Sequence, residues 1–356
     1  MKKNIIIVVG TRPNFMKAAP LLREIRKVNH FNITLVHTGQ HYDKKMSDDF
    51  FRDLEIQKPN FNLNVGSGTH ATQSSKIMIS FEEICLKLTP DLVIVFGDVN
   101  STMACSIVAS KLNIKLAHIE AGLRSYDREM PEEINRLITD SISDYFFVTE
   151  ESGEKNLLIE GQPKSKIFNV GNLMIDSLHF GLKKIESRKL FLEDDYCLVT
   201  LHRPSNVDDK KNFNNIIEAL SLIAKNVKLF FSVHPRTKQK IEDYKINLDD
   251  NIVILEPLSY LNFLHLMRDS NAVFTDSGGI QEETTALKIP CYTLRENTER
   301  PITIEQGTNR LVGLNKKTII DSFSNNKFSV SSNYKLPLKW DGQSSQRIVE
   351  VLIKIL

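Results

Sequence analysis

The chain has 356 residues, a length that predicts two domains rather than one. Hydrophobic residues make up 41% and charged residues 25%, a composition typical of a soluble globular protein with a substantial core. The net charge of +2, from 46 basic and 44 acidic residues, argues against a nucleic-acid or membrane partner.

The chain carries no sequence signal for a membrane span, a secretory route or a metal site. Its apolar runs are shorter than the roughly 18 residues that cross a bilayer, and the first of them is too short for a signal peptide. The cysteines lie in apolar surroundings without Cys-x-x-Cys or His-x-x-x-His spacing. We therefore expect a cytoplasmic protein with reduced thiols, which are Cys85, Cys105, Cys197 and Cys291.

The first half of the chain alternates short apolar runs with helical patterns. Strands are predicted at residues 4–9, 32–37, 91–96, 115–119, 145–148 and 167–170. Helical patterns are present at 12–28, 44–54, 71–88, 102–112 and 131–143. The strands are continuous apolar runs rather than alternating ones, which indicates a parallel sheet buried on both faces.

The same alternation then begins again. Strands are predicted at 196–201, 227–233, 252–255, 272–275 and 290–294, with helices at 212–225, 260–268 and 280–287. The fold class is therefore α/β, with two Rossmann-like domains at 1–171 and 172–342. A last helix at 343–356 fits either domain, and packing back on the first is one of the two arrangements.

Polar residues follow the predicted strands at seven places. They are Arg12, Gln40-His41, Asp98, Glu120, His202, His234 and Asp276-Ser-Gly-Gly. In open α/β sheets, ligands bind outside the carboxyl ends of the strands. We therefore expect a site in a crevice between the two domains, where those ends face each other.

The stretch 118–136 combines a buried strand with a dense group of charges. Glu120 lies at the carboxyl end of the strand, where α/β proteins bind ligands. Glu132 and Glu133 have a functional and a structural interpretation. In the structural one they face the positive end of a helix dipole, or Glu132 pairs with Arg136 four residues later.

The segment 275–283 follows a strand with two glycines and opens a helix. Backbone amides at such a start, with no side chains in the way, favour phosphate binding. The alternative is a turn that merely starts a helix, with Asp276 or Ser277 as its N-cap. Three basic residues are candidate partners of the same anion: Arg12, Lys17 and Arg300.

Gly66-Ser-Gly-Thr-His-Ala has the glycine spacing of a dinucleotide-binding turn but lacks its context. That turn needs a firm strand before it and an acidic residue about 20 positions later, at the end of the next strand. Glu82 and Glu83 instead fall inside a predicted helix. We interpret the segment as a loop, suited to closing over a ligand, and we predict no NAD site.

Four residues are candidates for acid–base chemistry: Asp98, Glu120, Glu132 and His202. Carboxylates in a closed cleft can differ in pKa, so that one acts as a base and another as an acid. His202, after a buried strand, suits a proton relay or a contact to a leaving phosphate; its alternative is a capping or packing role. Ser277 has no obvious histidine partner, so triad chemistry is not expected.

Nine segments carry a resemblance to a known family. They are Gly10-Thr-Arg-Pro, Gly39-Gln-His, Gly97-Asp-Val-Asn-Ser-Thr, His118-Ile-Glu-Ala-Gly-Leu-Arg, Pro131-Glu-Glu-Ile-Asn-Arg, Leu201-His-Arg, Val233-His-Pro-Arg-Thr, Thr275-Asp-Ser-Gly-Gly-Ile-Gln-Glu-Glu and Thr298-Glu-Arg-Pro. In this order, over residues 5–313, they resemble the non-hydrolysing UDP-N-acetylglucosamine 2-epimerases. One segment alone is a weak signal, whereas the ordered set is specific.

The resemblance implies a GT-B fold with two Rossmann-like domains around a deep cleft, and a homodimer. It implies inversion at C2 of UDP-GlcNAc to UDP-ManNAc, without cofactor or metal, by anti elimination of UDP and syn re-addition through a 2-acetamidoglucal. By the resemblance, the catalytic residues are Asp98, Glu120, Glu132 and His202. The UDP-binding residues are Arg12, Lys17, Phe263, Ser277, Gly278, Gly279, Glu283 and Arg300.

Some bacterial members of the family have a second, activating UDP-GlcNAc site. Gln40-His41 fits that pattern, whereas Tyr42-Asp43 and Pro204-Ser-Asn do not match its usual polar residues. Gln40, His41 and His234 are therefore candidates for a regulatory or supporting role.

The identity of the sugar is open at this stage. Gly39-Gln-His-Tyr-Asp and Arg124-Ser-Tyr-Asp-Arg-Glu-Met resemble relatives that epimerise modified UDP-sugars, such as a 2,3-diacetamido uronic acid. Thr298-Glu-Arg-Pro instead favours plain UDP-GlcNAc. Three other functions remain as alternatives: a hydrolysing epimerase, a GT-B glycosyltransferase and a non-catalytic UDP-sugar sensor.

Overall fold

The computed structural model describes residues 2–39, 51–186 and 195–356. The chain divides into two α/β units, Met1–Phe180 together with Leu338–Leu356, and Gly181–Pro337. Each unit has one parallel sheet, which confirms the fold class predicted from the continuous apolar runs. The helix predicted at 44–54 lies mostly outside the described residues.

The first unit contains a seven-stranded parallel sheet with the order β3-β2-β1-β4-β5-β6-β7. The strands are β1 Lys3–Val9, β2 Phe31–His37, β3 Phe61–Asn62, β4 Leu92–Phe96, β5 Lys115–Ile119, β6 Tyr145–Val148 and β7 Ile167–Asn169. The helices are α1 Arg12–Ile25, α2 His70–Leu88, α3 Asn100–Lys111, α4 Pro131–Ile142, α5 Glu151–Ile159 and α6 Leu173–Ile185, the last of which continues into the second unit from Gly181.

The core of this unit follows from the alternation of side chains along each strand. All five residues of β4 are buried, and Val93 and Val95 pack in one cluster with Ile77 and Phe81 of α2. Burying one such side chain contributes about 1.5–3 kcal/mol. The central strands β1, β4 and β5 are therefore fixed in register, and their carboxyl ends come to one edge of the sheet.

The second unit contains a six-stranded parallel sheet with the order β10-β9-β8-β11-β12-β13. The strands are β8 Tyr196–Thr200, β9 Lys228–Ser232, β10 Ile252–Leu255, β11 Ala272–Thr275, β12 Cys291–Thr293 and β13 Asn309–Leu311. The helices are α7 Pro204–Val207, α8 Lys210–Ala224, α9 Pro235–Asp243, α10 Tyr260–Arg268, α11 Gly278–Leu287, α12 Ile302–Glu305 and α13 Lys316–Asn326.

Several elements were absent from the sequence-based prediction. Helix α13 buries only Ile319 and Phe323, so its apolar stripe is too thin to stand out. Phe323 nevertheless packs on Phe274 of β11 at 5.5 Å between ring centroids. The edge strands β3 and β13 have two and three residues, which is too short for a periodic pattern. The other missed elements are α5, α6, α7, α9 and α12.

The last helix, α14 Ser344–Ile355, belongs to the first unit. It packs on α1, and Asp176 of α6 accepts hydrogen bonds from the Ser344 and Ser345 amides at 3.1 and 2.8 Å. The buried Trp340 donates from Nε1 to the Thr149 carbonyl. These contacts place residues 172–180 and 338–342 with the first unit, where the sequence had suggested the second.

We expect Asp176→Ala to lower the free energy of unfolding by about 1–3 kcal/mol, because two buried amides at the start of α14 lose their acceptor. Urea unfolding measures this difference. Asp341→Ala is the matched control in the same segment, since Asp341 pairs with Arg347 while its side chain is 41% exposed. Such exposed pairs contribute about 0–1 kcal/mol. Equal losses in the two variants would contradict the role given to Asp176.

No helix in the described ranges is both long enough and apolar enough to cross a membrane.

Candidate active site

The first unit gathers buried charged residues at the carboxyl edge of β1, β4 and β5. Asn14 fixes the turn after β1, because its Oδ1 accepts from the Gly10 and Thr11 amides at 3.1 Å. Its Nδ2 donates to the Phe96 carbonyl at the end of β4. This arrangement ties α1 to the edge of the sheet, and it carries Lys17, only 6% exposed, to the same edge.

Glu120 and Lys17 form an ion pair in which both side chains are almost completely buried. Glu120 leaves β5 with φ 72, and its amide donates to the Phe147 carbonyl at 2.9 Å. A non-glycine residue in this region costs roughly 1–3 kcal/mol, and such residues cluster at functional sites. Gly97 lies beside the pair: a Cβ there would stand 3.3 Å from both Glu120 Oε2 and Lys17 Nζ.

Asp98 follows Gly97 and is held by helix α4. Its Oδ2 accepts from Arg136 Nε and Nη2 at 3.1 and 2.7 Å, and its carbonyl accepts from Asn135 Nδ2 at 2.8 Å. The Asp98 side chain is 25% exposed, so it remains accessible to a ligand. Asp98 and Glu120, predicted from separate strand ends, therefore come together around Gly97.

The two glutamates that open α4 have different environments. Glu133 is buried and accepts from the Ser125 amide and hydroxyl and from the Tyr126 amide, each at 3.0 Å. Glu133 is thus structural. Glu132 is exposed in the first turn of the helix, and its catalytic role stays a prediction.

The structure pairs Arg136 with Glu133, whereas the sequence had suggested Glu132 as its partner. Arg136 bonds to Glu133, three residues earlier, and to Asp98 across the turn. The i, i+3 spacing on α4 brings the buried glutamate under the guanidinium, which also orients Asp98.

The second unit presents a carboxylate–imidazole pair. His202 follows β8, and its Nδ1 lies 2.8 Å from Oδ1 of Asp276, which follows the neighbouring strand β11. The His202 side chain is 47% exposed, whereas Asp276 is fully buried. Because Nδ1 faces the carboxylate, Nε2 is the ring nitrogen that can exchange a proton with a ligand.

Asp276 accepts several hydrogen bonds in addition to its contact with the His202 ring. Its oxygens also accept from the His202 and Arg203 amides at 3.0 and 2.9 Å, and from Asn206 Nδ2 at 3.2 Å. Burial by itself would raise the pKa of Asp276, but the His202 ring and these amides outweigh it and hold the pKa below its usual value. The N-cap of α11 is Ser277, and its side chain makes no capping bond.

The glycine-led start of α11 lies against buried cations. A Cβ on Gly278 would stand 2.7 Å from Arg300 Nη1, so only glycine leaves that guanidinium in place. Arg300 is anchored by Glu282 at 2.8 Å and by Glu299. Glu299 also accepts from Arg295 Nη2 at 2.8 Å, so two guanidinium groups share one buried carboxylate. Arg203 completes the cluster, 3.8 Å from Glu299.

The remaining predicted nucleotide-binding residues lie on α10 and α11. Glu283 is 4% exposed, and its Oε1 accepts from the Tyr260 hydroxyl at 3.0 Å. Phe263 is one turn beyond Tyr260 on α10 and is also buried. Gly279 is the second residue of α11.

The last of the predicted residues are Arg12, His234, Gln40 and His41. Arg12 is exposed at the first residue of α1. His234 is the N-cap of α9, and its ring accepts from the Arg236 amide at 3.2 Å, which is a capping role. Gln40 and His41 lie outside the described residues.

Cysteine chemistry is not part of this site. All four cysteines are buried, and burial raises the pKa of Cys85 and Cys197 to about 12, so these thiols stay protonated at neutral pH. Across the described ranges, no group of three or more potential ligands is arranged to hold a metal ion.

Sequence reasoning missed the residues that hold the predicted ones. Arg136, Asp276 and Glu299 each lie in a segment that was singled out, but each binds a residue from a distant segment. Arg136 binds Asp98 and Asp276 binds His202, 38 and 74 residues away, and Glu299 pairs with Arg203. A signal was available for Asp276, because it directly follows an apolar strand adjacent to the one that ends at His202.

Comparison with known proteins identifies the family. The family model described as UDP-N-acetylglucosamine 2-epimerase matches residues 23–353. The UDP-N-acetylglucosamine 2-epimerase of Methanocaldococcus jannaschii is 44% identical, with 97% of this chain and 98% of that protein covered. The UDP-2,3-diacetamido-2,3-dideoxy-D-glucuronate 2-epimerase of Pseudomonas aeruginosa is 39% identical, with 99% of each covered.

A solved structure agrees with the sequence matches. The M. jannaschii UDP-GlcNAc 2-epimerase in complex with UDP-GlcNAc and UDP has a TM-score of 0.91 and 43% identity, with 99% of each chain covered. The likeness extends over both α/β units, so the fold is of the GT-B type. The resemblance inferred from the motifs is confirmed: the chain belongs to the UDP-N-acetylglucosamine 2-epimerase family.

Proposed function

We propose that this protein interconverts UDP-GlcNAc and UDP-ManNAc by inversion at C2, without net hydrolysis. The observation that carries the proposal is that each unit holds part of the set of charged groups that the reaction needs. The first unit holds two carboxylates, Asp98 and Glu120, each paired with a buried cation. The second holds the Asp276–His202 pair and a buried arginine cluster beside the start of α11.

The reaction needs groups that transfer protons and groups that bind the leaving UDP. In the elimination step a base removes the C2 proton, a C1–C2 double bond forms, and the C1–O electron pair leaves with UDP. In the return step the UDP oxygen attacks C1 of the 2-acetamidoglucal, and a proton is delivered to C2 on the same face as the UDP, opposite to the face from which the first proton was removed. The C2 proton is weakly acidic, so a positioned carboxylate is required, and Asp98, Glu120 and Glu132 are the candidates.

Departure of UDP requires that its developing negative charge be neutralised as the C1–O bond breaks. Preorganised cations and amides provide that stabilisation. Arg300, Gly278 and Ser277 supply these groups in the second unit, and Lys17 and Arg12 in the first. His202, with Nδ1 held by Asp276, can donate a proton from Nε2 to the leaving oxygen and take it back on return.

The second candidate substrate is a modified UDP-HexNAc, and the 39% identical Pseudomonas relative favours it. Part of the sequence evidence for that reading has a structural explanation. Arg124 is buried, and its guanidinium donates to both oxygens of Glu160 and to Asp140. Glu133 holds the Ser125 and Tyr126 amides. The segment 124–126 is therefore explained by folding, and plain UDP-GlcNAc is the better-supported substrate.

Proton NMR of the purified protein with UDP-GlcNAc in heavy water tests the proposal. We expect a growing UDP-ManNAc signal and deuterium at C2 of both sugars. Free ManNAc with UDP would instead indicate a hydrolysing epimerase. No exchange with UDP-GlcNAc, but exchange with a 2,3-diacetamido uronate, would assign the modified substrate. UDP release only when an acceptor is added would indicate a glycosyltransferase, and binding without turnover of any of these sugars would indicate a sensor.

Gly278→Ala should weaken UDP binding about tenfold, which corresponds to 1.4 kcal/mol. The added Cβ would displace the Arg300 guanidinium, because the two would otherwise stand 2.7 Å apart. Isothermal titration with UDP measures the change. Ser324→Ala is the control, since Ser324 is an exposed small residue on helix α13 of the same unit. Unchanged UDP affinity in Gly278→Ala would argue against a diphosphate at this helix start.

A further inference from the structure

His118 is a fully buried histidine that the reaction scheme above does not use. It lies on β5, two residues before Glu120, and is 0% exposed. Its Nε2 is 2.8 Å from the Gly97 carbonyl, and its Nδ1 is 2.6 Å from Asp140 Oδ1 on α4. Both ring nitrogens therefore face oxygen acceptors.

The hydrogen-bond roles follow from the partners. The Gly97 carbonyl can only accept, so Nε2–H donates. Asp140 also accepts from the Gly122 amide at 3.0 Å and from Arg124 Nη2 at 2.7 Å. Burial alone would raise the pKa of Asp140, but His118 and Arg124 outweigh it and hold the pKa below its usual value. Asp140 therefore acts as an acceptor towards His118, and a ring with a proton on each nitrogen would satisfy both contacts.

Two routes lead from His118 to Asp98. One is direct, because the Gly97 carbonyl that His118 holds belongs to the peptide that precedes Asp98. The other runs through α4, because the helix that carries Asp140 also carries Asn135 and Arg136, which bond to Asp98. Together these contacts form a closed ring that runs from Gly97 through Asp98, helix α4 and His118 back to Gly97. We call the closed set the Asp98 frame; its members are Gly97, Asp98, His118, Asn135, Arg136 and Asp140.

We propose that His118 is a positioning residue for the epimerisation, which as an imidazolium closes the Asp98 frame and sets the orientation and basicity of Asp98. The inference rests on the proposed function. Charged groups face the ring from both sides. Behind it lie Asp140, Arg124 and Glu160; beyond Gly97 lie Asp98, Arg136, Glu133, Glu120 and Lys17.

Two substitutions separate the roles of the ring. His118→Gln keeps an N–H near the Nε2 position and so retains the bond to Gly97, whereas His118→Asn keeps one near Nδ1 and loses it. Both remove the positive charge. We expect His118→Asn to lower kcat about a hundredfold with KM and UDP affinity unchanged, because small misplacements of reacting groups have effects of that size. His118→Gln should lose less.

The pH profile gives a readout that a purely structural role would not move. Removing a cation raises the pKa of neighbouring carboxylates. The acid limb of kcat/KM should therefore shift to higher pH in both variants. Glu160→Gln is the matched control: it touches the same buried network through Arg124 but has no bond to Gly97, so kcat and the acid limb should stay at wild-type values.

A folded His118→Asn protein with wild-type kcat and acid limb would overturn the inference. If both variants fail to fold, nitrogen-15 NMR of the wild-type histidines at pH 7 provides the test. Two protonated nitrogens on His118 are expected, and a neutral ring would overturn the proposal. This measurement needs no turnover, so it stands even if the wild type shows no epimerase activity, an outcome that would refute only the proposed function.

Discussion

Glu120→Gln should lower kcat by about 10²–10⁴-fold, the usual effect of removing a general acid or base. Glutamine preserves the shape of the side chain at this strained position but cannot accept a proton. Asp98→Asn should have an effect of similar size for the same reason, while Arg136 retains its second partner, Glu133. Steady-state kinetics with UDP-GlcNAc, together with C2 deuterium exchange, measure both losses.

Loss of stability must be separated from loss of chemistry at Glu120. The substitution removes the carboxylate that forms the buried ion pair with Lys17, and breaking such a buried pair by removing one partner costs about 3–5 kcal/mol. Adding Lys17→Met should recover most of that stability, because an apolar replacement of a buried pair is often neutral. The double variant should stay inactive. If it turned over like the wild type, Glu120 would not be an acid–base residue.

An exposed carboxylate in the same stretch is the control for charge alone. Glu129 is exposed in the loop before α4, and its amide bonds to Asp127. Glu129→Gln removes one negative charge without touching Gly97 or Lys17. We expect wild-type kinetics and wild-type stability for this variant.

Asp276→Asn should lower kcat by about 10²–10⁴-fold, because His202 loses the carboxylate that fixes its tautomer. The His202 and Arg203 amides require an acceptor, so the asparagine oxygen will face them. The asparagine NH₂ then faces Nδ1 and makes it an acceptor, which moves the ring proton to Nε2. UDP affinity should change little, since the cluster around Arg300 is intact.

Asp208→Asn is the matched control for Asp276→Asn. Asp208 lies just beyond α7, in the segment that follows His202, and it pairs with Arg236 on a partly exposed surface. Its loss should leave kcat and KM unchanged. Equal kinetics for Asp276→Asn and the wild type would show that the pair with His202 has no part in the reaction.

The pH dependence of stability supplies an independent test of Asp276. Its pKa in the folded protein lies below the unfolded value of 3.8, so its carboxylate stabilises the fold above pH 3.8. That contribution is lost as the pH falls through the folded-state pKa. The stability difference between the wild type and Asp276→Asn should therefore be greatest near neutral pH and shrink below pH 3.8, as measured by urea unfolding.

The amino-acid sequence by itself determined the class of fold and the edge of each sheet where the candidate residues lie. Continuous apolar runs such as Leu92–Phe96 are recognisable locally, and parallel strands bring their carboxyl ends to one edge. Asp98 and Glu120 could therefore be placed at the same edge of a sheet from the sequence alone, as could His202 and Asp276, although the contact between His202 and Asp276 was not predicted.

The tertiary structure alone decided which charged residues bind each other. The local pattern could not distinguish Glu132 from Glu133, because both occupy the first turn of α4 and only packing buries one of them. His118 and Asp140 are 22 residues apart, and Asp176 meets the start of α14 across 168 residues. Such pairs depend on how helices dock on the sheet, which has no local signature, whereas strands and turns are set by the order of neighbouring side chains.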